Sequence, residues 1–234
     1  LILLTAAWEI AVRLAHTPPY VLPAPSRVAI ALWRDFPTLA RHAAATLGET
    51  FAGLALAAAA GIALAILMDA FRLFRASAYP LLVVSQTVPV IVLAPLFIIY
   101  LGFGLAPKII TVALMCFFPV AVSFSDAMRS ADARYVNLVR SFGARRLKTY
   151  LLVKLPAAAP ALFSSLRVAA TYSVTGAVVG EWLSSDRGLG FYMLRVKNAY
   201  RLDAVFASVL VVALLSMGMN GLIRILRKIL IRWE

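Results

Sequence analysis

Apolar stretches recur along this chain, and short polar segments separate them. "FAGLALAAAAGIALAILM" and "FASVLVVALLSMGMNGLI" are apolar on every helical face. A helix that crosses a bilayer needs about 20 such residues. A transmembrane β-barrel would show period-two alternation instead. The pattern predicts six spans. The first ends near Ala15, and the turn-rich "HTPPYVLPAPSR" follows it. An amphipathic stretch over 26–42 is expected to lie along the interface. The second span covers 43–68 and is stopped by the loop "DAFRLFRAS", because a charge at mid-bilayer costs roughly 3 kcal/mol. The third covers 79–101 and closes on "GFGLAPK"; the fourth covers 109–124. A long polar stretch occupies 126–160. The fifth span, 161–183, a second polar loop, 184–203, and the sixth span, 204–226, complete the pattern. The expected fold class is all-α, a polytopic membrane protein of about six transmembrane helices, with 1–234 as a single transmembrane domain. The segment before Ala15 is read as the end of a span rather than a cleaved leader, since no small-residue cleavage site clearly ends it.

Composition supports this reading. The 234 residues are 63% hydrophobic and only 14% charged, too few charges to tile a water-facing surface. The net charge is +13. With the tail, "DAFRLFRAS" and the long polar stretch placed in the cytoplasm, that side holds thirteen Lys and Arg residues against eight opposite. That bias has the positive-inside sign. The basic residues lie between spans rather than along one soluble face, so nucleic acid is not expected as a partner. Trp8, Trp182 and Trp233 fall near span ends, as interfacial tryptophans do. Cys116 inside "LMCFF" reads as a small buried hydrophobe. Gly53, Ala57 and Gly61, and likewise Gly176 and Gly180, have the spacing of close helix packing.

The informative segment is "DARYVNLVRSFGARRLKTYLLVKLP". Tyr135, Leu138, Val139 and Phe142 share one helical face, and Asp132 is placed to cap that helix. Gly143 can take the left-handed conformation that ends it. Leu147, Tyr150 and Leu151 begin a second apolar face, expected to stop at Lys154-Leu155-Pro156 because the residue before proline avoids helical angles. The result is a helix–glycine–helix hairpin ringed by Arg140, Arg145, Arg146 and Lys148. A loop lying on anionic lipid is the other reading.

This segment resembles the cytoplasmic loop of the permeases of binding-protein-dependent ABC importers. That loop carries E-A-A, three residues, G, nine residues, I-x-L-P. Asn137, Leu138 and Val139 take the first three places, Gly143 the glycine, Val153 the Ile, and Leu155 and Pro156 the last two. Asn137 stands where the family has Glu, so a contact made by that carboxylate is not carried over. The strings "LPAPSRV", "PLFIIYLGFG" and "GAVVGEWLSSDRGLGFYML" are similar to the nitrate/sulfonate/taurine permease group and to permeases for thiamine-precursor pyrimidines and riboflavin. The resemblance implies a type I importer permease of the bacterial inner membrane. It implies that 126–160 is a coupling loop whose tip, Phe142, Gly143, Ala144, Arg145 and Arg146, docks on an ATPase subunit. The implied partners are two ATPase copies, a second permease copy in a homodimer, an external solute-binding protein and membrane lipid. ATP and Mg would be bound by the ATPase subunit, with no cofactor on this chain.

Polar residues inside spans face a cavity or a partner helix. Ser85, Gln86 and Thr87 before Pro89, and Thr171, Ser173 and Thr175 in the fifth span, are the pathway candidates. Helix-to-helix hydrogen bonding is the alternative for each. Glu181, beside Trp182, is expected at the external gate or as an interfacial anchor. Arg167 near the cytoplasmic end is read as snorkelling. Glu9, Arg13, His16 and His42 fit interfacial or packing roles. No His/Cys/carboxylate cluster suggests a metal. No G-x-x-x-x-G-K-[ST] occurs, which excludes ATP hydrolysis by that motif here. A secondary transporter or channel independent of ATP is the competing class. It would be expected to show intramembrane carboxylates or inverted repeats, and the deep spans read as nearly free of acid.

Overall fold

The computed structural model describes residues 2–231, so Arg232, one of the cytoplasmic basic residues counted above, and Trp233, read as interfacial, lie outside the described residues. Among the described residues, eleven α-helices and one π-helical turn follow one another: α1 (Ile2–Leu14), α2 (Pro25–Arg34), α3 (Phe36–Ala70), α4 (Arg72–Ser85), α5 (Val90–Leu101), α6 (Leu105–Arg129), α7 (Ala133–Ser141), α8 (Arg146–Thr149), the π turn (Tyr150–Lys154), α9 (Leu155–Ser184), α10 (Leu189–Asn198) and α11 (Leu202–Leu230). The chain is all-helical and polytopic. Four helical runs are long and apolar enough to cross a bilayer: α3, α6, the run Arg146–Leu183, and α11. The pair α4 and α5 makes a fifth if it counts as one span. The first expected span is the 13-residue α1.

Several boundaries differ from the sequence reading. The stretch 26–42 is not one interfacial helix. α2 ends at Arg34, Asp35 turns the corner, and α3 then runs 35 residues without a break. At 1.5 Å per residue it is roughly 52 Å long, well beyond the bilayer core of about 30 Å. The loop "DAFRLFRAS" shrinks to a single extended residue, Phe71, after which α4 begins. The third span is broken, with α4 and α5 meeting at 100°. Pro89 offers no N–H and takes an extended ψ of 119°, and the helix stops before it, although Pro80 and Pro95 are carried inside α4 and α5. Ser85 Oγ and Thr87 Oγ1 donate to the carbonyls of Leu82 (2.8 Å) and Val84 (2.7 Å), which also accept the N–H groups of Gln86 and Thr87, and so tie the end of α4 together. The loop 184–203 contains a helix of its own, α10.

Pro156 does not end the hairpin's second helix. Lys154 and Leu155 keep right-handed helical angles, and Leu155 N–H reaches back five residues to Tyr150 O. The wider π turn accommodates the proline ring, which would clash with the carbonyl four residues back in a regular α-helix. The chain therefore continues from α8 through the π turn into α9.

α6 sits at the centre, packed against α3 and α9 along most of its length. The small residues explain how close these helices come. A Cβ at Gly53 would overlap Val112, and one at Gly180 would stand 3.3 Å from Lys108 Cα. Val112, Val120, Cys116, Ala169, Ala170 and Val174 fill the core between them. Cys116 is buried there, its Sγ 3.1 Å from Ala169 O. α2, α10 and the start of α11 form a smaller core at the end of the bundle away from α7.

Candidate functional site: hairpin, groove and buried outer cluster

The hairpin is built from local signals. Asp132 Oδ1 accepts Arg134 N–H (2.8 Å) at the start of α7. Gly143 has φ +80, and its N–H and that of Ala144 return to Arg140 O (2.9 Å) and Val139 O (3.2 Å). Open space surrounds Gly143, so only its backbone angle demands glycine. Apolar residues on this hairpin are uncovered: Phe142 is 83% exposed, Leu147 70% and Leu138 53%. Asn137, Arg145 and Arg146 are exposed with them, while Val139, Ala144, Leu155 and Pro156 are half-buried at the base. The second helix is clamped to the end of α3. Arg146 donates to Ala70 O, Tyr150 Oη to Asp69, and Lys154 Nζ to Asp69 Oδ2 at 2.6 Å.

The pathway candidates separate. Gln86 and Pro89, at the α4–α5 break, line a groove of about 380 Å³ with Met115, Phe118 and Tyr172. Ser85 and Thr87 cap the break beside it. Thr171 and Thr175 are exposed on α9, and Thr171 Oγ1 accepts from Asn220 Nδ2 (2.7 Å), a partner on α11 absent from the sequence reading. Ser173 and Glu181 do not face open space. Ser173 is buried and donates to Ala170 O (2.8 Å).

Glu181 belongs instead to a buried cluster at the end of the bundle opposite the hairpin. It is 1% exposed; Thr46 Oγ1 and Gly190 N–H each donate to it at 2.6 Å. Leu189 N–H donates to Thr46 Oγ1 (2.9 Å) and Gly188 N–H to His42 Nδ1 (3.0 Å). The turn "RGLG" needs its glycines for this close approach: a Cβ at Gly188 would overlap the Glu181 carboxylate, and one at Gly190 would lie 2.5 Å from Val178 O. Lys108 Nζ donates to Glu49 Oε1 (2.6 Å) and to Ser185 Oγ (2.9 Å), with both members of the ion pair 2% exposed. Glu49 corrects the expectation of spans nearly free of acid. The signal was a lone carboxylate in an apolar run, which demands a partner.

Outside the spans, Asp35 receives Tyr192 Oη (2.9 Å) and Arg201. Burial alone would raise the Asp35 carboxyl, but the hydrogen bonds from Tyr192, Arg201 and Arg34 outweigh it and hold it below the usual range. Burial, aided by the neighbouring Asp35, pushes the Tyr192 phenol up to about 12. Among the described residues no group of three or more His, Cys, Asp and Glu is placed to hold a metal.

Comparison with known proteins accounts for this architecture. Residues 36–233 match the family described as binding-protein-dependent transport system inner membrane component. The formylaminopyrimidine transport permease protein of Halalkalibacterium halodurans is 34% identical, across 100% of this chain and 93% of that protein. The taurine transport system permease protein of Escherichia coli is 30% identical, across 100% of this chain and 87% of that one. A structure of the MetNI methionine ABC transporter in an inward-facing conformation superposes with a TM-score of 0.66 at 18% identity, covering 82% of this chain and 97% of that chain. The chain belongs to the family of binding-protein-dependent transport system inner membrane components, and is the multi-pass permease subunit of an ABC importer.

Proposed function

We propose that this permease carries a small polar organic solute between two copies of itself, and that the hairpin 132–156 couples it to two ATP-hydrolysing partner subunits. The observation that carries the coupling role is the hairpin itself. Phe142, Leu147 and Leu138 stand exposed at the end of the membrane bundle, ringed by Arg140, Arg145 and Lys148. An apolar centre with a basic rim is the composition of a docking surface. The clamp from Arg146, Tyr150 and Lys154 to the end of α3 gives any push on the hairpin a direct route to two spans. ATP and Mg belong on the partner subunit, and an external binding protein would supply the solute.

The solute class is supported by the relatives, whose names print a formylaminopyrimidine and taurine, and by the groove at the α4–α5 break. Its amide and aromatic edges can pass a polar solute without holding it tightly. Selectivity would then rest largely with the binding protein. Uptake of a panel of sulfonates, nitrate, pyrimidines and flavins by cells expressing the assembled importer tests the class. Accumulation of at least one of these is expected; transport of only a metal ion or an oligopeptide overturns it.

A further inference from the structure

At the end of the bundle opposite the hairpin, a cavity of about 630 Å³ opens between α3, α10 and the start of α11. Its walls carry Arg41, Arg187, Arg195 and Arg201 against one carboxylate, Asp35. That carboxylate is already occupied by Arg201, Arg34 and Tyr192. Arg41, Arg187 and Arg195 form no ion pair among the described residues, so an excess of three positive charges faces the opening. His42 lines the same cavity. Its Nδ1 accepts the Gly188 N–H, which places the ring hydrogen on Nε2 as one further donor.

Guanidinium groups present paired donors that match oxyanions, and their charge is retained at every working pH. Three unpaired ones around a recess of this size describe a receptor for a small anion. A flat basic patch would suit a protein surface better; these arginines line a concavity. We infer that this cavity is an oxyanion-binding site at the outer mouth of the permease, taking a small organic molecule that carries a sulfonate, carboxylate or phosphate group. The inference rests on the proposed transport role and on the charge bias that puts the opposite, hairpin end in the cytoplasm. It narrows the proposed small polar solute to an anionic one.

The test uses the permease assembled with its ATPase subunits in nanodiscs, with ethanesulfonate as probe and ethanesulfonamide as its neutral counterpart. Titration calorimetry should show the sulfonate binding at least about tenfold more tightly than the sulfonamide, and more weakly as salt is raised. Arg187→Gln and Arg195→Gln should each weaken the sulfonate about tenfold, and Arg41→Gln provides a third, independent variant. Equal affinity for the two probes, or unchanged sulfonate binding in the Arg187→Gln/Arg195→Gln double variant, overturns the site. So does a result in which these variants weaken capture of the solute-binding protein alone, because the arginines then serve protein docking. The arms separate the two readings. Uptake of only a neutral flavin or pyrimidine by an otherwise active importer sinks the anionic solute and leaves the transport role standing. A hairpin found outside the cell sinks the orientation and leaves the calorimetry untouched.

Discussion

Lys108 and Glu49 meet at 2.6 Å with almost no exposure, and a second carboxylate, Glu181, is buried close by. Breaking a buried pair leaves a charge without compensation, which costs more than the pair contributes over an apolar substitute. Lys108→Met is therefore expected to destabilise the permease by about 3–5 kcal/mol, measured by denaturant unfolding in detergent. Adding Glu49→Gln should recover most of the loss, because the stranded carboxylate is gone. A Lys108→Met protein as stable as the parent would show that the ion pair carries no such weight. Residues whose partners lie nearby in sequence were legible beforehand: Asp132 caps α7, and Gly143 takes the positive φ that its place in the turn required. Glu49 was not, because its partner lies 59 positions away and an apolar run conceals a single acid. Glu181 was singled out, yet its surroundings were invisible, since Thr46 and Gly190 reach it only after three helices have packed.

At the scale of elements, the hairpin was readable because both of its helices and its turn are specified locally. Its end was misread. Pro156 looked like a stop, and the π turn absorbs it. The break at Pro89 shows the opposite case: the third span was read as continuous, although its proline carried the cue. α3 was cut into an interfacial piece and a span because its polar first turns resemble a surface helix, while its length shows only in three dimensions. The turn at Gly143 makes a sharp element-level prediction. Gly143→Val places a β-branched residue at φ +80, which such residues strongly disfavour. The variant should retain the folded bundle but lose substrate-driven ATPase activity in the assembled importer. Gly143→Asn, which tolerates that angle better, should keep much of it. Full coupling in a well-expressed Gly143→Val complex would remove the turn from the coupling route.

For the whole molecule, the two ends of the bundle are chemically distinct, with an apolar and basic hairpin at one and an arginine-lined cavity at the other. The charge bias is the one expected of a hairpin on the cytoplasmic side, and accessibility tests that side directly. In a Cys116→Ala background, Arg145→Cys should resist an impermeant thiol reagent added outside intact cells, whereas Arg187→Cys should react. Labelling of Arg145→Cys from outside would invert the topology. Between those two sites runs one uninterrupted helical strut, Arg146–Leu183. Along such a strut, residue count becomes angular phase. One residue inserted in its middle would rotate everything beyond it by about 100° and advance it by about 1.5 Å. The Glu181 carboxylate would swing away from Thr46 and from the Gly190 turn while the hairpin stayed clamped to α3. Side chains along the strut can drift with little consequence where they face lipid, but an inserted residue must be taken up locally, in a widened turn like that at Tyr150–Lys154, if the hairpin clamp and the buried cluster are both to survive.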